Sequence, residues 1–143
     1  MSRKSYKILN THIKLKILTD EESIKSGSKK ETIILYIMNL SDQSHGIIEG
    51  GFITRGLKHN FGDISLNLNG TPLFVTHKRI NDRVVLDKTE VFNYFNKEGY
   101  KGKIKIKAFL VDDFGNEYRS DSVILNLNNM EIKFAKFHAF NFL

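Results

Sequence analysis

The feature that most constrains this chain is the run Lys103 to Val111, in which Ile104, Ile106, Ala108 and Leu110 alternate with Lys103, Lys105 and Lys107. Side chains of an extended strand point to opposite faces with a period of two, so four apolar residues share one face and three lysines the other. A strand with one apolar face needs a second layer to cover it, which points to packed sheets. The pattern recurs at His12 to Ile17, where Ile13, Leu15 and Ile17 share a face. Thr32 to Leu40 is apolar on both sides, as a central strand would be.

The intervening segments supply turns and shorter strands. Thr19 to Lys30, rich in acids and serines, reads as a polar loop. Ile47 to Thr54 reads as a strand in which Gly50 and Gly51 mark a bulge or a close backbone approach. Ile64, Leu66 and Leu68 followed by Asn69-Gly70 predict a hairpin, with Thr71 to His77 returning and Pro72 confining that strand to an edge or to a start at the proline. Val84 to Leu86 is a further short strand. Val91, Tyr94 and Phe95 fall at helical spacing and predict a short helical crossover near residues 89–97. Asp112 to Asn116 carries tight-turn residues, and Glu117 to Leu127 supplies the partner strand of a hairpin.

Seven or so short strands with turns between them, without a βαβ rhythm or a long repeat, predict an all-β fold: one antiparallel two-sheet sandwich spanning residues 1–143. The order Val84-Val85-Leu86, Glu90, Tyr100, Lys103 to Val111, Asp112 to Gly115, Tyr118 and Ser120 resembles the C-terminal half of immunoglobulin-like domains of small, mostly uncharacterised bacterial and phage proteins. The resemblance covers about the last third of the chain and rests on hydrophobic pattern and turn residues. It implies a fold in which a strand, a short crossover and a long final hairpin close the sandwich. By the same resemblance a phage or mobile-element accessory role is expected. The paired cysteines and buried tryptophan of antibody domains are missing from this sequence.

Composition narrows the chemistry. The chain has no cysteine, which excludes disulfides, thiolate nucleophiles and cysteine-held metal clusters. No apolar stretch has signal-peptide or transmembrane character, so membrane insertion is not expected and a cytoplasmic location is. Histidines 12, 45, 59, 77 and 138 lack metal-site spacing and are expected to be exposed or hydrogen-bonded. Asp112 and Asp113 lack the spacing of a calcium loop, and Asp113-Phe114-Gly115, although it spells a kinase tripeptide, stands without the other kinase motifs. No serine sits in a nucleophile-elbow motif. No catalytic set, metal or cofactor is expected.

Two surfaces then carry the functional expectations. Phe134, Phe137, Phe140 and Phe142 form an aromatic C-terminal segment, residues 130–143, which reads either as a last core strand or as a tail docking onto a protein partner or a second copy. Lys101, Lys103, Lys105 and Lys107 form a cationic stripe, joined by Lys14 and Lys16 if those strands share its sheet. With a net charge of +6, this stripe could serve a polyanion such as nucleic acid, or simply keep the protein soluble and its sheet edges apart. The leading expectation is a noncatalytic protein-interaction or assembly module. Polyanion binding and small-molecule or glycan binding are the alternatives.

Overall fold

In the computed structural model, residues 7–8, 13–23, 29–64, 74–76 and 81–134 are described. The chain runs β1 (Lys7–Ile8), β2 (Ile13–Ser23), β3 (Lys29–Asn39), β4 (His45–Thr54), β5 (Leu57–Asn60), α1 (Phe61–Ile64), β6 (Phe74–Thr76), β7 (Asn81–Asp87), α2 (Lys88–Lys97), β8 (Lys103–Asp112), β9 (Asn116–Arg119), β10 (Val123–Asn126) and β11 (Glu131–Phe134). The protein is mostly β, in two sheets that are antiparallel except where β1 runs parallel to β9.

The smaller sheet has the order β2-β3-β7, so β3 is its central strand. The larger is built about β8. Along one side of β8 lies β4, pairing from Ile53 opposite Lys107 to Ile47 opposite Asp112. Along the other lie β10 and then β9, two pieces of one antiparallel run interrupted at Ser120. The Ser120 hydroxyl accepts the Ala108 N–H at 2.8 Å, so a side chain takes over a main-chain acceptor at the break. β5 and β6 flank β4 on its far side, while β1 and β11 flank β9 and β10.

The alternating residues set the core. Ile13, Leu15 and Ile17, with Ile33, Leu35 and Ile37, meet Phe52, Ile104, Ile106, Ala108 and Leu110 of the larger sheet in one hydrophobic cluster. The helix α2 adds Val91, Phe92 and Phe95 to it. Asp87 starts this helix, its Oδ1 accepting the N–H groups of Thr89 and Glu90 and so satisfying two donors that a first turn leaves free. The expected helical crossover thus matches an observed helix; the strands expected at 84–86 and 103–111 lie wholly in observed strands, that at 32–40 does so up to Asn39, and that at 12–17 from Ile13, His12 being outside the described residues.

Three readings need correction. The polar segment Thr19 to Lys30 is not all loop: Thr19 to Ser23 pairs with Lys29 to Ile33, because main-chain pairing started by the apolar part of the hairpin continues through residues with little strand propensity of their own. Ile64 lies in α1, not in a strand. The rest of the expected 64–77 hairpin falls outside the described residues except Phe74–Thr76, which pairs with β4. The irregularity in β4 falls between Ile47 and Glu49 and not at the glycine pair. Gly51 answers the other half of that expectation, since a Cβ there would lie 1.9 Å from the His59 carbonyl oxygen.

Candidate functional site

One end of the molecule is organised by a carboxylate. Asp112 ends β8 with its side chain fully buried, and its Oδ1 accepts the N–H groups of Phe114 at 3.0 Å and Asn116 at 2.9 Å. Gly115, with φ of +84°, closes the turn by donating to the Asp112 carbonyl. Asp112 Oδ2 accepts the Tyr118 hydroxyl at 2.8 Å and meets His45 Nδ1 at 3.0 Å. Burial alone would raise the Asp112 pKa, but the bonds from Asn116, Tyr118 and His45 outweigh it and hold the carboxyl below its ordinary value. Burial and the Asp112 bond push the Tyr118 phenol up.

His45 carries this network into the neighbouring loop. A carboxylate can only accept, so the ring presents Nδ1–H to Asp112, and Nε2 lies 2.9 Å from Ser41 Oγ. Ser41 is set by Asn39, the buried last residue of β3, whose Oδ1 accepts both the Ser41 N–H at 3.0 Å and its hydroxyl at 2.7 Å. Asn39 Nδ2 donates in turn to the carbonyls of Gln43 and Thr76. A main-chain bond of 2.8 Å from Asp113 N–H to the Gly46 carbonyl ties the two loops directly.

Ser41, His45 and Asp112 thus share the connectivity of a nucleophile, a base and an orienting acid. Ser41 has a single hydroxyl hydrogen, however, and Asn39 Oδ1, the Gln43 carbonyl and His45 Nε2 are all within reach of it. These three acceptors compete for the one hydrogen, and the network as a whole ties the β3–β4 loop to the β8–β9 turn.

What the lock presents is apolar. Phe114, at the tip of the turn, is 66% exposed, with its ring edge-on to His45 at 6.0 Å. Leu40, on the adjoining loop, and Ile48, beside the irregularity in β4, are also exposed.

The opposite end has a second buried histidine. His59 Nδ1 lies 2.7 Å from the Tyr94 hydroxyl and Nε2 lies 3.1 Å from that of Tyr100, with Phe95 edge-on to the ring. Burial lowers the His59 pKa, against the opposing pull of Glu98 and Asp63. Burial, reinforced by Glu98, pushes Tyr94 up to about 12. The Arg55 guanidinium lies 5.3 Å over the Tyr100 ring, so the β4–β5 turn is fastened to the segment after α2. His45 and His59 are therefore hydrogen-bonded, as expected, while His12, His77 and His138 lie outside the described residues.

The sequence-derived sites fare unequally. Lys101, Lys103, Lys105 and Lys107 are all exposed, and the last three stand on the outward face of the larger sheet. Lys14 and Lys16 do not join them, because β2 belongs to the smaller sheet and their face looks the other way from the shared core. Phe134 ends β11, its backbone opposite Val123, and its side chain is outside the described set, as are Phe137, Phe140 and Phe142. The His45–Asp112 contact was not legible beforehand, since 67 residues separate the partners. Only the turn residues Asp112, Gly115 and Asn116 signalled that a tight structure lay there. Among the described residues no cluster of His, Asp and Glu is placed to hold a metal, and no helix is long and apolar enough to cross a membrane. Comparison with protein-family models, curated proteins and solved structures finds no match for this chain.

Proposed function

We propose that this chain is a noncatalytic protein-interaction module with an immunoglobulin-like sandwich fold, and that it binds its partner through the loop end with Phe114 as the anchor. The observation that carries the reading is an aromatic side chain 66% exposed on a turn whose backbone a buried carboxylate holds in place. Exposed aromatic rings on rigid loops lose little conformational entropy on binding, and interfaces concentrate their energy in such residues.

Support for the fold reading comes from the strand order. In immunoglobulin domains strands A, B and E share one sheet and C, F and G the other, with C′ added beside C in variable types. The order β2-β3-β7 fits the first, and β9/β10-β8-β4-β5 fits the second. On that mapping the β3–β4 loop and the β8–β9 turn are the B–C and F–G loops, which lie together at the binding end of variable domains.

Two experiments test the reading. A partner co-purified with the chain, then titrated by calorimetry, loses at least ~30-fold in affinity for Phe114→Ala, the scale of a hot-spot residue. An unchanged Kd would overturn the assignment of Phe114. Ser41 stays unlabelled by a fluorophosphonate probe that modifies activated serines; stoichiometric labelling abolished by His45→Ala would overturn the noncatalytic reading.

A further inference from the structure

The outer face of the larger sheet is a separate surface with different chemistry. Lys103, Lys105 and Lys107 stand on it two residues apart, which spaces them by roughly 7 Å along the strand. Register places Ile53 beside Lys107 and Lys58 beyond it, while Ile124 lies beside Lys105 with Lys133 beyond. Cations thus form a grid over β5, β8 and β11. Among the described residues Lys101, Lys103, Lys105, Lys107 and Lys133 have no ion pair. Lys58 and Arg119 share the buried carboxylate of Glu117, Glu49 lies opposite Val111, Glu131 stands in the row of Lys103 as Lys133 stands in that of Lys105, and Asp121 is exposed at the break between β9 and β10.

Edge protection accounts for only part of the stripe. Lys107 lies where β8 has β4 along one side and the β9–β10 run along the other, whereas Lys103 and Lys105 pair with β10 alone among the described strands, so only Lys107 stands clear of an open edge. The face also lacks the composition of a protein interface, which is depleted in lysine and enriched in aromatic residues and arginine. Among the described residues its arginine is Arg119, which is engaged with Glu117. Its aromatic ring, Phe109, is fully buried with Lys58 4.9 Å above it, so the face offers no described aromatic platform for unstacked bases.

We propose that this face binds the phosphate backbone of duplex nucleic acid, without reading sequence. Flexible lysine ammonium groups act as point charges towards phosphates, and the unpaired cations on the exposed Lys103–Lys107 part of the face can each displace a counterion from a duplex. This surface is independent of the loop end, and the two can be tested apart.

The experiment is fluorescence anisotropy of a labelled 20-base-pair duplex with the full chain, from low to moderate salt. With about five phosphates engaged, raising salt from 50 to 200 mM weakens binding by roughly 10²- to 10³-fold. The triple variant Lys103→Gln, Lys105→Gln, Lys107→Gln reduces the slope of log affinity against log salt by about three. A control with Lys14→Gln and Lys97→Gln, away from this face, keeps most of the affinity. Circular dichroism checks that both variants fold. No binding at 50 mM salt, or equal loss in the control, overturns the proposal. So does competition by poly-glutamate as effective as by duplex at equal charge, which would assign the face to an acidic protein.

Discussion

The two ends of this molecule are each fastened by a buried histidine with both ring nitrogens engaged, and they differ in what the histidine faces. His45 meets an ionised carboxylate and a serine hydroxyl. His59 meets the hydroxyls of Tyr94 and Tyr100, and the rings of these two and of Phe95 stand edge-on to it. At the first end the charge of Asp112 collects bonds from its own turn and from the strands β4 and β9, so one residue orders three elements. At the second the work is shared among rings whose packing supplies much of the cohesion and whose hydrogen bonds are neutral. A lock centred on one ionised group is strong and sensitive to a single substitution; an aromatic box is weaker at any one point and more tolerant.

The largest expected effect follows from removing the charge. Asp112→Ala strands His45, Tyr118 and two turn N–H groups and costs roughly 3–5 kcal/mol by urea denaturation. His59→Phe keeps the aromatic packing and loses only neutral bonds, at roughly 1–3 kcal/mol. If both variants cost the same, the contrast between the two ends fails.

Acid titration sharpens it. The folded-state pKa of His59 is lowered, so its contribution is present above its unfolded value near ~6.5 and is lost as pH falls through the folded value. Asp112 is also lowered, from a carboxylate reference near ~3.9, so its contribution persists through that range and disappears only at stronger acid. Urea midpoints of the wild type should therefore decline between pH 7 and 5, and those of His59→Phe should decline less. An identical decline would show that His59 is not the group titrating. The smallest effect on stability belongs to Phe114→Ala and to the triple lysine variant, each within about 0.5 kcal/mol, since neither supports the core. A larger loss for Phe114→Ala would mean that the ring belongs to the lock and not to its exposed product.

Much of the fold was legible because it rests on local periodicity. Ile104, Ile106, Ala108 and Leu110 declare a buried face by alternation alone, and Val91 with Phe95 declares a helix turn. Ile64 misled for the same reason: three alternating residues fit a strand, yet Phe61 and Ile64 also share a helical face, and α1 buries both. Thr19 to Ser23 misled in the opposite direction, because a hairpin's register extends pairing through residues that would not form a strand alone. Of the candidate site, the turn at Asp112 to Asn116 was visible as a turn. Its burial was not, nor was the role of His45, since a histidine and an aspartate 67 residues apart carry no spacing signal.

Which residues face a core, where the chain turns, and that three lysines share one side of a strand were determined by the sequence itself, because backbone geometry ties those properties to near neighbours. That β8 lies inside its sheet, that Lys14 and Lys16 face away from the other lysines, and that Asp112 finds His45 were decided only by tertiary structure. They depend on which strands pair, and pairing is set by how the whole set of apolar faces closes around one core.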